Sequence, residues 1–361
     1  MLKNYQNMFI LVSDLAKLVD NESSYNWQYS FHTSLKKLYE DLEIDYKYKE
    51  KIKKVESLLY TMNDCFDKYS NYTLSLEEKQ QRLNIIFTKL QVEQRSEEWY
   101  EETKQLLTAS EFYKLFESQR TRGTLVLSKS EQTKIDLQKA VPSHVMTPFD
   151  WGIRFEPVVK QYLEHTWNCT IYECGRIRHS SNKKLAASPD GIISQSSDVS
   201  RLGRLIEIKC PYTRKSNNIV PYAYWIQMQI QMEVTNLVEC EYVEVEIVSK
   251  SPKNLNIDLS ENYIYKGVLY LMLNNTTYNY AYSTKEKDEY ILQGYEVVET
   301  IEYGIINVFN IIVKRDEKWY ESTLVAQEKF WEDVNNKNYV LPEPKYKRQK
   351  QEKNECLITE E

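Results

Sequence analysis

Apolar positions recur at helical spacing early in the chain. Leu35, Leu38 and Leu42 form one series and Val55, Leu58 and Leu59 another, the period that buries one face of a helix. No glycine precedes Gly123 and no proline precedes Pro142, so residues 1–94 read as a helical N-terminal region. The pattern then changes. Over 151–167, Phe155, Val158, Val159, Tyr162 and Leu163 share one side. Pro157 stands within this series, and because proline is tolerated in a first helical turn, the helix is expected to begin near it. Strand-like runs follow at 169–177, 185–188 and 205–209. Residues 221–235 return to helical spacing, with Ile226, Ile230 and Val234 four apart, and 240–248 alternates as a strand. Further aromatic strands are expected at 263–272 and 305–314, then a helix over 323–334 with Ala326, Phe330 and Val334 on one face.

This order predicts an α/β (α+β) protein with a central mixed sheet flanked by helices. The expected division is a helical region over 1–94, a core over 95–250, a β/α extension over 251–340 packed on that core, and a polar tail over 341–361, too charged to bury a core and expected to be disordered.

Composition narrows the chemistry. The 361 residues include eight glycines, about 2% where about 7% is usual, and none lies in a GxGxxG or GxxxxGK pattern, which excludes a Rossmann dinucleotide site and a P-loop. His32, His144, His165 and His179 are too scattered for an HExxH zinc site. The six cysteines (Cys65, Cys169, Cys174, Cys210, Cys240 and Cys356) form no CxxC pair and read as free thiols of a reducing compartment. The 29 tyrosines put polar tips on much of the aromatic surface. The apolar run Met8 to Val12 is too short for a signal-peptide core, and no stretch approaches the roughly 18 apolar residues of a spanning helix. An intracellular protein without a membrane partner is expected. The net charge of −6 argues against indiscriminate coating of nucleic acid, but leaves room for a local basic groove.

Two short segments carry candidate chemistry. Ser188-Pro189-Asp190-Gly191 has the residues of an ordinary turn. Ile206-Glu207-Ile208-Lys209-Cys210-Pro211 contains a Glu-x-Lys spacing that also occurs at Glu77/Lys79, Glu102/Lys104 and Glu343/Lys345. Only at Glu207/Lys209 does it sit in an apolar strand. The two-residue period puts Glu207 and Lys209 on one face and Ile206 and Ile208 on the other. Charges on a buried face cost free energy unless they are paired or used, and a hairpin can bring Asp190 beside Glu207. Clustered carboxylate oxygens are the hard ligands that Mg²⁺ prefers, and a lysine beside them suits phosphodiester hydrolysis. Glu156, on the preceding helix, and Gln227, in the apolar 221–235 helix where Gln231 shares its face, are further candidates.

Taken in order, Trp151-Gly-x-x-x-Glu156, Ser188-Pro-Asp190-Gly, Glu207-Ile-Lys209-Cys-Pro and Tyr224-x-x-Gln227-x-Gln229 resemble the lambda exonuclease-like (YqaJ viral recombinase) family of the PD-(D/E)XK nuclease superfamily. Arg95-x-x-x-Trp99 followed by Thr108-Ala109-Ser110 is similar to that family's opening motif, and 207–215 with Val220-Pro221 looks most like the versions carried by large DNA viruses. The resemblance covers about 95–250 and implies a restriction-endonuclease-like nuclease core. It implies Asp190 and Glu207 as metal ligands with the Ile208 carbonyl, Glu156 as an auxiliary acidic ligand, Lys209 as the catalytic lysine, and Gln227 as the residue that orients the lysine or the attacking water. Ser110 and Arg120 match positions that hold a 5′-phosphate end. Trp99, Lys104, Arg122, Arg214 and Lys215 are further expected DNA contacts, and Lys183 and Lys184 add basic charge nearby. The chain departs from the pattern at Thr103, where the family commonly has an arginine.

The expected function is therefore a Mg²⁺-dependent deoxyribonuclease, with Mn²⁺ able to substitute, acting 5′→3′ on double-stranded DNA in viral-type recombination, repair or genome processing. The resemblance also admits a single-strand annealing protein as partner. An endonuclease, an RNA-degrading shutoff factor and an inactive DNA-binding protein on the same fold are the alternatives.

Overall fold

The computed structural model describes residues 74–131, 147–216, 218–249, 263–275 and 277–340. The helical series at Leu35 and Val55, the run at Met8, the cysteines Cys65 and Cys356, the histidines His32 and His144, and the expected disordered tail lie outside the described residues.

Helix α1 (Leu76–Thr88) opens on a reciprocal capping box between Ser75 and Glu78 and buries Leu83 and Ile86. Helix α2 (Glu97–Thr103) is capped by the Ser96 hydroxyl. Strand β1 (Leu107–Thr108), helix α3 (Ala109–Phe112) and helix α4 (Gln119–Ser130) follow. Helix α5 spans Pro148–Trp167, so it starts well before the expected point. Thr147 and Asp150 form a capping box and Pro148 fills the first turn, where a missing N–H is harmless. Pro157 is instead interior. It removes the bond to the Ile153 carbonyl, one lost bond in a helix whose apolar face is held by packing.

The expected strand at 169–177 is two strands in two sheets, β2 (Cys169–Tyr172) and β3 (Ile177–Arg178), separated by Cys174 and Gly175. A side chain at Gly175 would meet the Val92 carbonyl at 2.5 Å, so the chain turns there against the segment before α2. Strand β4 (Leu185–Ala187) is followed by β5 (Gly191–Ser196), which was not expected. Strand β6 (Leu205–Lys209), helix α6 (Tyr222–Thr235) and strand β7 (Glu239–Ser249) match their expected positions within two residues. Strand β8 (Tyr265–Asn274), strand β9 (Thr277–Ala281), helix α7 (Thr284–Leu292), strand β10 (Glu296–Lys314) and helix α8 (Glu317–Asn336) complete the fold. The last strand and helix are longer than expected. The first half of β10, exposed only at its start, pairs with β8, and Asp316 caps α8 ahead of its apolar series.

The seven-stranded sheet has the order β2-β5-β6-β7-β10-β8-β9, and β6 and β7 are its parallel pair. A small sheet, β1-β4-β3, lies apart from it. The expected mixed sheet flanked by helices is thus present, and the region from 263 onward continues the same sheet through the β7–β10 ladder. Two apolar layers cover its faces. Trp151, Phe155, Val158 and Leu163 of α5 pack with Ile206, Ile208, Val243 and Val245 on one. Trp225, Ile226, Met228 and Ile230 of α6 pack with Leu205, Cys240, Tyr242 and Phe330 on the other. The described cysteines are free thiols, and no described helix is long and apolar enough to cross a membrane.

Candidate active site

Strand β6 is the centre of the site. Its two-residue period sends Ile206 and Ile208 into the α5 layer and puts Glu207 against α6, where it is fully buried. Antiparallel pairing of β5 with β6 sets Gly191 opposite Ile206, which brings Asp190 next to the same strand. There the Asp190 carboxylate accepts the Ile208 N–H at 2.7 Å. A Cβ at Gly191 would sit 2.3 Å from the Ile171 side chain, so glycine allows the close approach of β2 that holds this turn.

Both oxygens of Glu207 are engaged. Oε1 accepts from Gln227 Nε2 at 2.8 Å and pairs with the Lys209 ammonium. Oε2 accepts from Gln231 Nε2 at 2.6 Å. One helical turn separates the two glutamines, so α6 presents a pair of amide donors to one carboxylate. Lys209 also stands over the Tyr224 ring, 4.6 Å from its centre. Glu156 projects from α5 and pairs with Lys160 at 2.9 Å and Arg95 at 3.1 Å.

Glu156, Asp190, Glu207, Lys209, Tyr224 and Gln227 line one pocket of about 510 Å³, together with Arg95 and Arg214. Arg214 is held by a fork onto buried Glu244, with Nη1 to Oε1 at 2.9 Å, and Glu244 also accepts from Tyr242 Oη. Burial, and then the charges of Glu207 and Glu156, push the Asp190 carboxyl well above the usual range. Burial would lower Lys209, but the charges of Glu207 and Asp190 outweigh it and hold the ammonium above its ordinary value. Burial likewise opposes ionisation of Glu156, and Lys160 and Arg95 overcome it and keep the carboxyl low. Asp190 is therefore the carboxylate in excess of local positive charge. Among the described residues no group of three or more His, Cys, Asp or Glu side chains is placed to hold a metal ion.

The pocket unites Glu156, Asp190, Glu207, Ile208, Lys209, Gln227 and Arg214 of the sequence candidates. The others stand elsewhere. Trp99 donates to the Ser188 hydroxyl at 3.2 Å and packs under the Arg176 guanidinium, 4.3 Å from its ring centre. It therefore braces the turn before Asp190. Lys104 pairs with Glu101. Ser110 is exposed beside Thr108, and Arg120 and Lys215 lie outside the pocket lining. Arg122 pairs with Asp333 of α8 at 2.7 Å. At Thr103, the position of the departure, the hydroxyl accepts from buried Arg176 at 2.7 Å. Gln231 was visible in the sequence only as a neighbour on the Gln227 face, and Arg95 only as part of a motif.

Residues 98–238 match the model of the YqaJ-like viral recombinase domain, the family that the motifs resemble. An uncharacterized protein of Acanthamoeba polyphaga mimivirus is 29% identical over 252 residues, 64% of this chain and 42% of that protein. The chain thus spans about two fifths of the length of that relative. Among solved structures, an alkaline exonuclease from Laribacter hongkongensis matches with TM-score 0.40 and 18% identity, over 67% of this chain and 94% of that one. A phage-related exonuclease from Haemophilus somnus matches with TM-score 0.36 and 14% identity, over 64% and 96%.

Proposed function

We propose that the YqaJ-like viral recombinase domain carried by this chain is a metal-dependent deoxyribonuclease, acting as a 5′→3′ exonuclease on double-stranded DNA in viral-type recombination, repair or genome processing. One observation carries the chemical part of this reading. Two neighbouring strands bring Asp190 and Glu207 to one pocket that also holds an ammonium and the Gln227 amide, with the buried Gln231 amide on the other oxygen of Glu207. The strand polarity and the duplex preference come from the family resemblance.

The residues fit a divalent cation. Asp190 is crowded by the negative charges of Glu207 and Glu156, and all the donors are hard oxygens. Asp190, Glu207 and the Ile208 carbonyl would hold Mg²⁺ or Mn²⁺, with Glu156 at the border of the site and water completing the shell. Such an ion polarises a phosphodiester and lowers the pKa of a bound water. The chain's own groups do the rest. Lys209, charged and fixed between Glu207 and Tyr224, stabilises negative charge on the phosphate in the transition state. Gln227 and Gln231 hold Glu207 in one orientation. Arg214, at the mouth, offers a guanidinium positioned by Glu244 to the passing backbone.

The test is a digest of end-labelled linear duplex, circular duplex and RNA with Mg²⁺, with Mn²⁺ and with EDTA. Linear duplex should be degraded with either metal, and EDTA should stop it. Cleavage of circles or RNA instead would replace the exonuclease reading with the endonuclease or RNA-degrading one. No cleavage of any substrate would leave only DNA binding.

A further inference from the structure

Arg95 is one of the few described residues other than glycine with positive φ, at 66°. An L-residue with a long side chain is disfavoured in this left-handed region. The chain on both sides imposes it. Upstream, the Val92 carbonyl accepts the Arg176 N–H at 2.7 Å, and the Gln94 amide donates to the carbonyls of Cys174 at 2.8 Å and Pro189 at 3.2 Å. Downstream, Ser96 caps α2 and Trp99 reaches Ser188. The segment is thus pinned to the turn that presents Asp190, and the left-handed residue between the pins carries an arginine into the mouth of the pocket.

Stability does not account for that arginine. Its partner Glu156 already has a more buried cation, Lys160, on its other oxygen. The Arg95 side chain is 38% exposed, and an ion pair so open to solvent contributes little. A strained residue that persists without a stabilising role, at the edge of a candidate site, is the pattern expected of a functional contact.

We propose that Arg95 is a phosphate-binding residue that exchanges Glu156 for a non-bridging oxygen of a phosphodiester backbone entering the pocket. The proposal rests on the nuclease reading above and adds a contact to it. The exchange also frees Glu156 Oε2 towards the pocket while Lys160 retains Oε1, so substrate entry and release of the auxiliary carboxylate become one event.

The experiment measures binding of blunt duplex DNA by the full chain in Ca²⁺ across a salt series, for the wild type, Arg95→Gln and Arg95→Gly. Loss of one phosphate contact should weaken binding about 5- to 10-fold at low salt and reduce the slope of log K against log salt by about 1. Arg95→Gly removes the backbone strain with the contact, so its melting temperature should equal or exceed that of the wild type while its affinity falls. Unchanged affinity and slope in both variants, or an Arg95→Gly protein melting well below the wild type, would overturn the assignment. If the wild type cleaves and binds duplex DNA and the variants match it, only the role of Arg95 fails. If the wild type does neither, the nuclease reading fails and this contact with it.

Discussion

Two carboxylates on adjacent strands of the sheet, Glu207 on β6 and Glu241 on β7, are both almost wholly buried, yet their surroundings differ. Glu241 Oε2 accepts from Arg201 at 2.9 Å and Arg204 at 2.8 Å, and Oε1 accepts from Asn310 at 2.7 Å. Two guanidinium groups compensate it, and Glu239 in turn pairs with Arg204. Glu207 has one ammonium and two neutral amides, with Asp190 alongside. The first arrangement is closed: both oxygens are met by fixed donors, and two of those donors are guanidinium groups. The second is open on one side and short of positive charge. A buried carboxylate is thus a poor marker of function by itself. A second carboxylate that shares its pocket without a cation of its own is a better one, because that surplus persists only where a ligand relieves it.

The comparison breaks most sharply at Glu207. Glu207→Gln keeps the shape and removes the charge, so turnover with Mg²⁺ should fall at least about 10³-fold with the circular dichroism spectrum unchanged. Near-normal turnover would place Glu207 with Glu241 among structural charges. The reverse result is expected at the other cluster. Arg204→Ala strips a charge from Glu241 and should destabilise the fold by about 3 kcal/mol in urea unfolding, while the folded protein keeps its specific activity. A smaller effect is expected from Gln231→Leu, which leaves Glu207 Oε2 without its donor. A drop in kcat of about 10- to 50-fold, with a modest loss of stability, corresponds to about 1–3 kcal/mol for one buried unsatisfied acceptor. If stability alone changes, Gln231 belongs to the core and not to the site.

Much of this was legible in the chain. The alternation of Leu205 to Lys209 placed Glu207 and Lys209 on one face of a strand, and that is where they stand. The hairpin between Asp190 and Glu207 exists, although the strand that makes it, β5, leaves little mark in the sequence. Its two isoleucines are followed by Ser194, Gln195 and Ser196, a run too short and polar for its period to show. The start of α5 lies earlier than the sequence suggests, because Pro157 is a stronger local signal than the Thr147–Asp150 cap. Packing of Phe155, Val158 and Leu163 against β6 and β7 carries the helix through the proline.

Local spacing determined which residues could act together: a two-residue period decides a face of a strand, and a four-residue period decides a face of a helix. Those rules involve neighbours in the chain, so the sequence alone suffices for them. It could not decide what each charge would meet. Whether an arginine finds Glu241, a glutamine finds Glu207, or a pinned backbone turns Arg95 towards Glu156 depends on elements brought together from distant segments. Only the packed sheet and its covering helices settle which buried charges are neutralised and which are left for a ligand.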